Sequence, residues 1–349
     1  MVNFGIVGCG RISGKHIASL KQIPNAKIVA VCDINQERCM KAANECMCKS
    51  YSTYEEMLQD KDVEVVNILT PSGLHPTMAI QAAKAGKHVV CEKPIALTIK
   101  DANHMVLECE KAGVLFFTVK QNRYNPPIIH LKKAIDEGRF GRLFLANVTV
   151  RWSRDKNYYK QDAWRGTIKY DGGVLLNQTS HHIDMLQWML GDVISVICKK
   201  ANFFHDIEVE DSAVAILKFR NGAYATFEGT TCTFPRDMEG SISILGEKGS
   251  AKVGGFAMNK MEHWQFTEPK EEDQDIIHTI TNPPNVYGFG HLPLLKSVVE
   301  TITSRNVQRI DGDEGLKTLK IIIAMLKSAK ENREVFLKEL NNEDEVYYY

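Results

Sequence analysis

The sequence predicts an α/β chain in two parts. An amino-terminal doubly wound parallel sheet is followed by an α+β part built on a large, open, mostly antiparallel sheet with helices. Three observations predict it. Up to Gln121, short apolar runs alternate with helical periodicity, which calls for parallel strands joined by crossover helices. From Val193 onward the pattern becomes alternating strands joined by turns such as Arg220-Asn221-Gly222. The length, 349 residues, suits two domains, each able to bury a core. The boundary is placed at 121, giving domains 1–121 and 122–340, and the acidic, tyrosine-ended segment 341–349 is expected to be disordered.

Composition narrows the function classes. The net charge is zero, which argues against a general polyanion binder such as a nucleic-acid protein. No stretch reads as a membrane span, and the start of the chain shows no export signal, so a cytoplasmic protein is expected. Nine cysteines lie scattered without C-x-x-C pairs, which favours a reducing compartment over a disulfide framework or a metal site.

Val2–Val7 is an apolar run, broken by Gly5, that feeds Gly8-Cys9-Gly10-Arg11-Ile12-Ser13-Gly14 and then a helix over Lys15–Ile23. In a dinucleotide fold the first glycine makes the tight turn. The second lets backbone N–H groups approach a pyrophosphate lying on the helix N-terminus. Gly8, Gly10, Arg11 and Ile12 are therefore candidate cofactor residues, with Ser13 in the third glycine position. Lys27–Cys32 reads as a second strand ending in Asp33, close to the roughly 20-residue offset of the acid that accepts the ribose hydroxyls of NAD and repels the 2′-phosphate of NADP. The competing reading is a structural turn and an exposed aspartate.

Helices over Asn35–Cys46 and Tyr54–Asp60 precede a strand over Val63–Leu69, which ends in Thr70-Pro71. His75 either faces the nicotinamide ribose or is a satisfied loop histidine. A helix over Thr77–Ala85 is closed by Gly86. Strand His88–Cys91 then delivers Glu92-Lys93-Pro94 to the carboxyl edge of the sheet, where ligands bind in this architecture. Pro94 biases Lys93 towards an extended conformation, so Lys93 is read as the point where chemistry meets cofactor, against the plainer reading of a surface Lys-Pro turn. Thr98 caps a helix with Asp101 in a capping-box pattern, Gly113 ends it, and Val114–Val119 is the last strand of the series.

Lys120–Pro126 is dense in side chains that bind hydroxyls and phosphates. A helix over Ile128–Glu137 and a strand over Leu143–Trp152 follow. Arg151, Arg154, Lys156, Lys160, Arg165 and Lys169 are opposed locally only by Asp155 and Asp162, with Trp152, Tyr158, Tyr159 and Trp164 among them. Such a segment suggests an anionic ligand with a ring to stack on, or else a solvated charged loop. A helix from Val174 would put Leu175, Leu176, Ile183, Leu186 and Leu190 on one face and Asn177, His181, Asp184 and Trp188 on the other. His182 would border the apolar face. Strands are expected at Val193–Cys198, Ser212–Phe219, Tyr224–Thr230, Ser241–Leu245 and Ala251–Val253, and the open face of their sheet is a natural oligomer surface. Residues 256–286 give no firm pattern, and helices at Leu292–Thr303 and Glu314–Asn332 close the fold.

Gly8-x-Gly10, Glu92-Lys93-Pro94 and the Gly172-Gly173 helix leading to His181 and Asp184 together resemble the Gfo/Idh/MocA family of NAD(P)-dependent sugar and cyclitol oxidoreductases, with a Rossmann domain first. The resemblance covers nearly the whole chain. Asn177 departs from the aspartate usual there. Lys120–Pro126, Tyr158-Tyr159, Trp164–Thr167 and Asn177-Gln178 look like the subgroup that oxidises C3 of UDP-N-acetylglucosaminuronic acid in bacterial surface-polysaccharide (lipopolysaccharide) synthesis. The resemblance implies an NAD-dependent dehydrogenase in which Lys93 polarises the hydroxyl and His181 is the base, or the reverse if surroundings depress the lysine pKa. It implies Glu92 at the nicotinamide ribose, with Thr70, Lys93 and Gln121 also at the cofactor. Lys93, Asn122, Arg123, Tyr159, Trp164, Thr167, Asn177, Gln178 and His181 would hold the sugar nucleotide, and Arg154 and Arg165 its uronate or pyrophosphate charge. A homo-oligomer, dimer or tetramer, is implied, and some members of the subgroup reoxidise bound cofactor with 2-oxoglutarate. A neutral sugar or inositol is the competing substrate. A non-catalytic NAD-binding regulator is the competing class, and retention of Lys93 and His181 counts against it.

Overall fold

The computed structural model describes residues 1–304 and 311–340, so the expectation for 341–349 lies outside the described residues. Two compact units form, Met1–Lys120 with His291–Lys317, and Gln121–Gly290 with the chain from Thr318 onward. The units do not follow chain order. Helix His291–Ser304 buries Leu294, Leu295, Val298 and Val299 and packs against helix Ser13–Leu20 of the first unit.

The first unit is built on β1 (Val2–Val7), β2 (Ala26–Cys32), β3 (Lys49–Tyr51), β4 (Val65–Ile68), β5 (His88–Cys91) and β6 (Phe116–Thr118). Their order is β3-β2-β1-β4-β5-β6, and every pairing is parallel. That is the Rossmann order, with its switch point between β1 and β4. Strands covered by helices on both faces are apolar at nearly every position. Val65, Val66, Ile68, Val89 and Val90 are accordingly fully buried. β3 leaves no sequence signal, because Lys49 and Ser50 are exposed and offer no apolar run. Caps set the helix starts. The Thr98 hydroxyl accepts from the Asp101 N–H at 3.1 Å and donates to the Asp101 carboxylate at 2.8 Å, an arrangement worth about 1 kcal/mol. Helix His75–Lys84 begins before Thr77, since Pro76 sits in its first turn, where a missing N–H costs nothing.

The second unit holds β7 (Leu143–Arg151), β8 (Val193–Ala201), β9 (Ser212–Phe219), β10 (Tyr224–Thr230), β11 (Glu239–Gly246), β12 (Gly249–Gly254), β13 (Lys260–Phe266) and β14 (Val335–Phe336). The order is β13-β12-β11-β7-β10-β9-β8-β14, antiparallel except for the β7–β10 pair. β13 and helix Asp273–Ile276 occupy the stretch that gave no sequence reading. A register shift at Lys252/Val253 spaces the inward Met261 and Trp264 three residues apart, which hides the two-residue period of a strand. β9 shows that period plainly, with Ala213, Ala215, Leu217 and Phe219 inward and Val214, Ile216 and Lys218 outward. Helix Ser180–Leu190 covers the inner face at β7 and β11, and helix Pro126–Asp136 packs on β12.

The helix expected from Val174 is in fact two. Val174–Gln178 is a π-helical turn, Thr179 breaks it, and Ser180–Leu190 is α-helical. The polar stripe is enclosed, with His181 5% and Asp184 0% exposed and Asn177 and Trp188 half-buried.

Candidate active site

In the first unit the glycine loop follows β1, Thr70 follows β4, and Glu92-Lys93 follows β5. These strands are neighbours, so all three segments lie along one carboxyl edge. Gly8 has φ +91°, and a Cβ there would lie 2.8 Å from the Leu69 backbone, so only glycine fits. Gly10 faces open space. Helix Ser13–Leu20 has neither a side-chain cap nor an acid in its first turn, which leaves its N-terminal dipole open to an anion. Arg11 is exposed beside it. Ser13, in the third glycine position, turns its hydroxyl back to the Gly10 carbonyl at 2.7 Å.

Asp33 accepts from the Cys9 N–H at 2.6 Å and the Asn35 N–H at 2.7 Å, so its carboxylate is fixed against the glycine loop. Its remaining lone pairs suit ribose hydroxyls. These residues fit a dinucleotide.

Glu92 is the most heavily engaged carboxylate of this edge. Its Oε1 lies 3.1 Å from His16 Nε2 and 3.7 Å from His291 Nε2, and its Oε2 accepts the Lys93 N–H at 3.1 Å. Asn67 donates to His16 Nδ1 at 3.0 Å, which leaves Nε2 as the donor to Glu92. Burial alone would raise the Glu92 pKa, but the hydrogen bond from His16 and the nearby His291 imidazole outweigh it and hold the carboxyl well below the usual range. Burial pushes the His291 imidazole down. The sequence reading missed His16, Asn67 and His291, because nothing in chain spacing links them. The Lys93–Pro94 peptide is cis.

His75 takes the satisfied-loop alternative. Its Nδ1 lies 2.8 Å from the Pro94 carbonyl and its Nε2 2.8 Å from the Thr70 carbonyl, with burial pushing its pKa down. It bridges two strand-end loops. The Thr70 hydroxyl points to Met78 Sδ at 3.3 Å.

In the second unit the basic segment is less basic than its local sequence. Arg151 pairs with Glu228 at 2.6 Å and Glu239 at 3.3 Å, and Arg154 pairs with Asp237 at 3.1 Å. These acids come from β10, β11 and the turn between them. Arg165 keeps a weaker partner, Asp162 at 3.5 Å, and stacks on Tyr158 and Trp164 at 4.4 and 4.6 Å. Its Nη1 donates to the Tyr158 hydroxyl at 2.8 Å. The Gln178 amide reaches the same hydroxyl at 3.5 Å, and the Thr167 hydroxyl donates to the Trp164 carbonyl at 2.7 Å. Arg165, Tyr158, Trp164, Thr167 and Gln178 thus form one connected wall. Tyr159 lies behind it, with its hydroxyl 3.2 Å from Thr231 and its ring 4.7 Å from His205, and burial pushes its pKa up.

Arg123 has a partner that the sequence reading did not name. Its guanidinium grips Asp184 bidentately at 2.8 and 2.7 Å, Thr318 donates to the same carboxylate at 2.9 Å, and Trp188 lies 4.9 Å from the cation. With 6% and 0% side-chain exposure the pair is almost entirely enclosed, so the Arg123 charge is met within the second unit. Arg154 likewise has a counter-ion, Asp237. Gln121 and Asn122, next to Arg123, each keep a buried side-chain oxygen without a hydrogen bond.

The two adjacent histidines have different surroundings. His182 is fully buried edge-on to Trp152 at 5.2 Å, while His181 retains slight exposure. Leu175 N–H donates to Glu210 Oε1 at 3.1 Å and Val174 N–H to the Glu210 carbonyl at 3.0 Å, which anchors the turn before His181. A Cβ on Gly173 would lie 2.4 Å from Glu210 Oε1, which is why glycine stands there. Burial pushes Glu210 up to about 7 against the pull of Lys200. Among the described residues no helix is long and apolar enough to cross a membrane, and all nine cysteines are free thiols.

Comparison with known proteins agrees with this geometry. A model described as "Oxidoreductase family, NAD-binding Rossmann fold" matches residues 2–120, and one described as "Oxidoreductase family, C-terminal alpha/beta domain" matches residues 132–337. The chain is similar to the WlbA dehydrogenase of Bordetella pertussis, solved with NADH and UDP-GlcNAcA, at 40% identity over 96% of this chain and 97% of that one, with TM-score 0.90. It is similar to the Chromobacterium violaceum WlbA dehydrogenase, solved with the same two molecules, at 41% identity over 96% and 95%, with TM-score 0.90. Among curated proteins it is 28% identical to myo-inositol 2-dehydrogenase of Thermotoga maritima, over 97% of this chain and 99% of that protein. The chain therefore belongs to the Gfo/Idh/MocA family of NAD-dependent oxidoreductases, and its first unit is the family's NAD-binding Rossmann domain.

Proposed function

We propose that the protein oxidises the C3 hydroxyl of a UDP-linked N-acetylhexosaminuronic acid to the 3-keto sugar. The observation that carries this reading is the likeness, along 96% of the chain, to two dehydrogenases solved with NADH and UDP-GlcNAcA. The connected wall of Arg165, Tyr158, Trp164, Thr167 and Gln178 supports it, because a cation stacked on aromatic rings suits an anionic substrate bearing a ring.

Bound NAD supplies the two-electron acceptor for C3. Lys93 binds and polarises the hydroxyl, and His181 takes its proton, since an imidazole titrates near neutral pH. Glu92, fixed by His16, holds the Lys93 backbone through its Oε2 and presents a carboxylate to the nicotinamide ribose. The 3-keto product suits a following aminotransferase in surface-polysaccharide synthesis, and 2-oxoglutarate would serve as the recycling oxidant. The exposed face of the second sheet, with Leu145, Ile197, Val214, Ile216, Tyr224 and Leu245 each 41–52% exposed, supports a homo-oligomer formed through that sheet.

The likeness to myo-inositol 2-dehydrogenase favours the second reading, oxidation of inositol or a neutral sugar. Formation of reduced nicotinamide with UDP-N-acetylglucosaminuronic acid, UDP-N-acetylglucosamine, glucose and myo-inositol, each with and without 2-oxoglutarate, separates the two. Reduction by the uronic acid alone is expected. Reduction by inositol or glucose alone would replace the first reading with the second.

A further inference from the structure

Asp171 belongs to no role derived so far, yet it joins the two segments of the second unit that matter most to the proposed chemistry. It is 1% exposed. Its Oδ2 accepts the Gly166 N–H at 2.6 Å, and its Oδ1 accepts from the side-chain amide of Asn177. Its own N–H returns to the Thr167 carbonyl at 3.0 Å. The loop is held from the other side as well, because the Glu208 N–H donates to the Gly166 carbonyl at 2.9 Å. Gly166 has φ +70°, and a Cβ there would lie 2.5 Å from Ile207, so the loop backbone cannot be held by a larger residue at this point. One carboxylate thus spans from the Trp164–Thr167 loop to the π-helical turn that precedes His181.

The donor pattern has a chemical consequence. A carboxylate only accepts, so Asn177 must turn its NH₂ towards residue 171 and its amide oxygen away. A sugar hydroxyl both donates and accepts, and the orientation of this amide decides which polarity residue 177 offers. We infer that Asp171 is a positioning residue for the sugar end of the substrate, setting the Trp164–Thr167 loop and the Asn177 amide together. This rests on the reading that the second unit holds the sugar.

A reciprocal swap tests it. Asp171→Asn faces one amide with another and is expected to lower kcat/KM for the UDP-uronic acid about tenfold or more, with NAD affinity held within about twofold. Asn177→Asp sets two carboxylates together, so one of them holds a proton to higher pH. Its turnover, relative to wild type, should fall as pH rises from about 5 to about 8. The double variant Asp171→Asn/Asn177→Asp restores one donor and one acceptor. The amide then at position 171 can accept from Gly166 and donate to the carboxylate then at position 177, and the outward atom of residue 177 is again an oxygen. The double variant should remove the added pH dependence and recover kcat/KM to within about tenfold of wild type. Glu210 and Tyr159 are titratable groups whose charges reach Asp171, so the wild-type profile is the baseline.

An Asn177→Asp profile identical to wild type would overturn the proposal. So would an Asp171→Asn variant that loses stability and NAD affinity as much as sugar turnover, which would mark Asp171 as structural. If wild type oxidises no UDP sugar, the functional reading has failed and the positioning role falls with it. The Asp171–Asn177 pairing is still read from unfolding. Asn177→Asp should then lose stability from about pH 5 to about pH 8 and the double variant should not.

Discussion

Replacing Arg123 with alanine separates a structural from a substrate-binding role. The guanidinium makes two hydrogen bonds to Asp184, both side chains are almost entirely enclosed, and the Thr318 hydroxyl also donates to that carboxylate at 2.9 Å. Removing one member of a buried ion pair leaves the other charged and desolvated, which costs about 3–5 kcal/mol. The Thr318 bond, worth about 1.5–3 kcal/mol when made to a charge, persists and does not offset that loss. Trp152, Trp164, Trp188 and Trp264 all fall in the second unit, so tryptophan emission during a urea titration reports that unit alone. Arg123→Ala should lower its unfolding free energy by about 3–5 kcal/mol. The double variant Arg123→Met/Asp184→Leu, which removes both charges and keeps apolar volume, should be clearly more stable than the single. An Arg123→Ala protein with wild-type stability and a sugar KM raised tenfold or more would instead place Arg123 at the substrate.

The Glu210 pKa of about 7 lies above the ordinary carboxylate value, so the folded state holds a proton that the unfolded state has already released over that interval. Stability of the second unit should therefore be greatest below about pH 4.5 as far as this group is concerned and fall as pH rises through 7, with Glu210→Gln flattening the slope in urea titrations. Gly8→Ala, which drives a Cβ to 2.8 Å from the Leu69 backbone at a positive φ, should weaken NAD binding at least tenfold by fluorescence titration. Ile216 pairs with Ile197 and Thr226 on the exposed sheet face, so Ile216→Lys should shift sedimentation towards a smaller species if the oligomer forms there. Lys93→Met should keep NAD affinity within about twofold and lose turnover by at least a hundredfold.

Much of the fold was legible because its physics is local. β4 and β5 are short and largely apolar, interrupted only by Asn67 and opened by half-buried His88, and β5 falls at His88–Cys91 as expected. β3 is too short and too exposed to leave such a signal, and the register shift beside β13 erases its alternation. The return of His291–Ser304 to helix Ser13–Leu20 is a tertiary choice that its amphipathic pattern does not specify. The candidate site divides the same way. Strand ends and glycine turns announced Gly8, Gly10 and Lys93 as candidates, but partners were hidden. The basic segment has few counter-ions near it in sequence, and only sheet pairing sets Glu239 directly opposite Arg151. Arg123 gave no hint of Asp184, which is remote in sequence, and Glu92 gave none of His16, Asn67 or His291.

A UDP-linked uronic acid carrying deuterium at C3 reports whether that carbon is the one oxidised. After a single turnover with NAD, mass spectrometry of the nucleotide should find the deuterium on the reduced nicotinamide and none in the sugar product. Deuterium retained in the sugar while the nicotinamide is reduced would place the oxidation at another carbon, and no reduction at all, with NAD bound, would contradict the dehydrogenase assignment for this sugar.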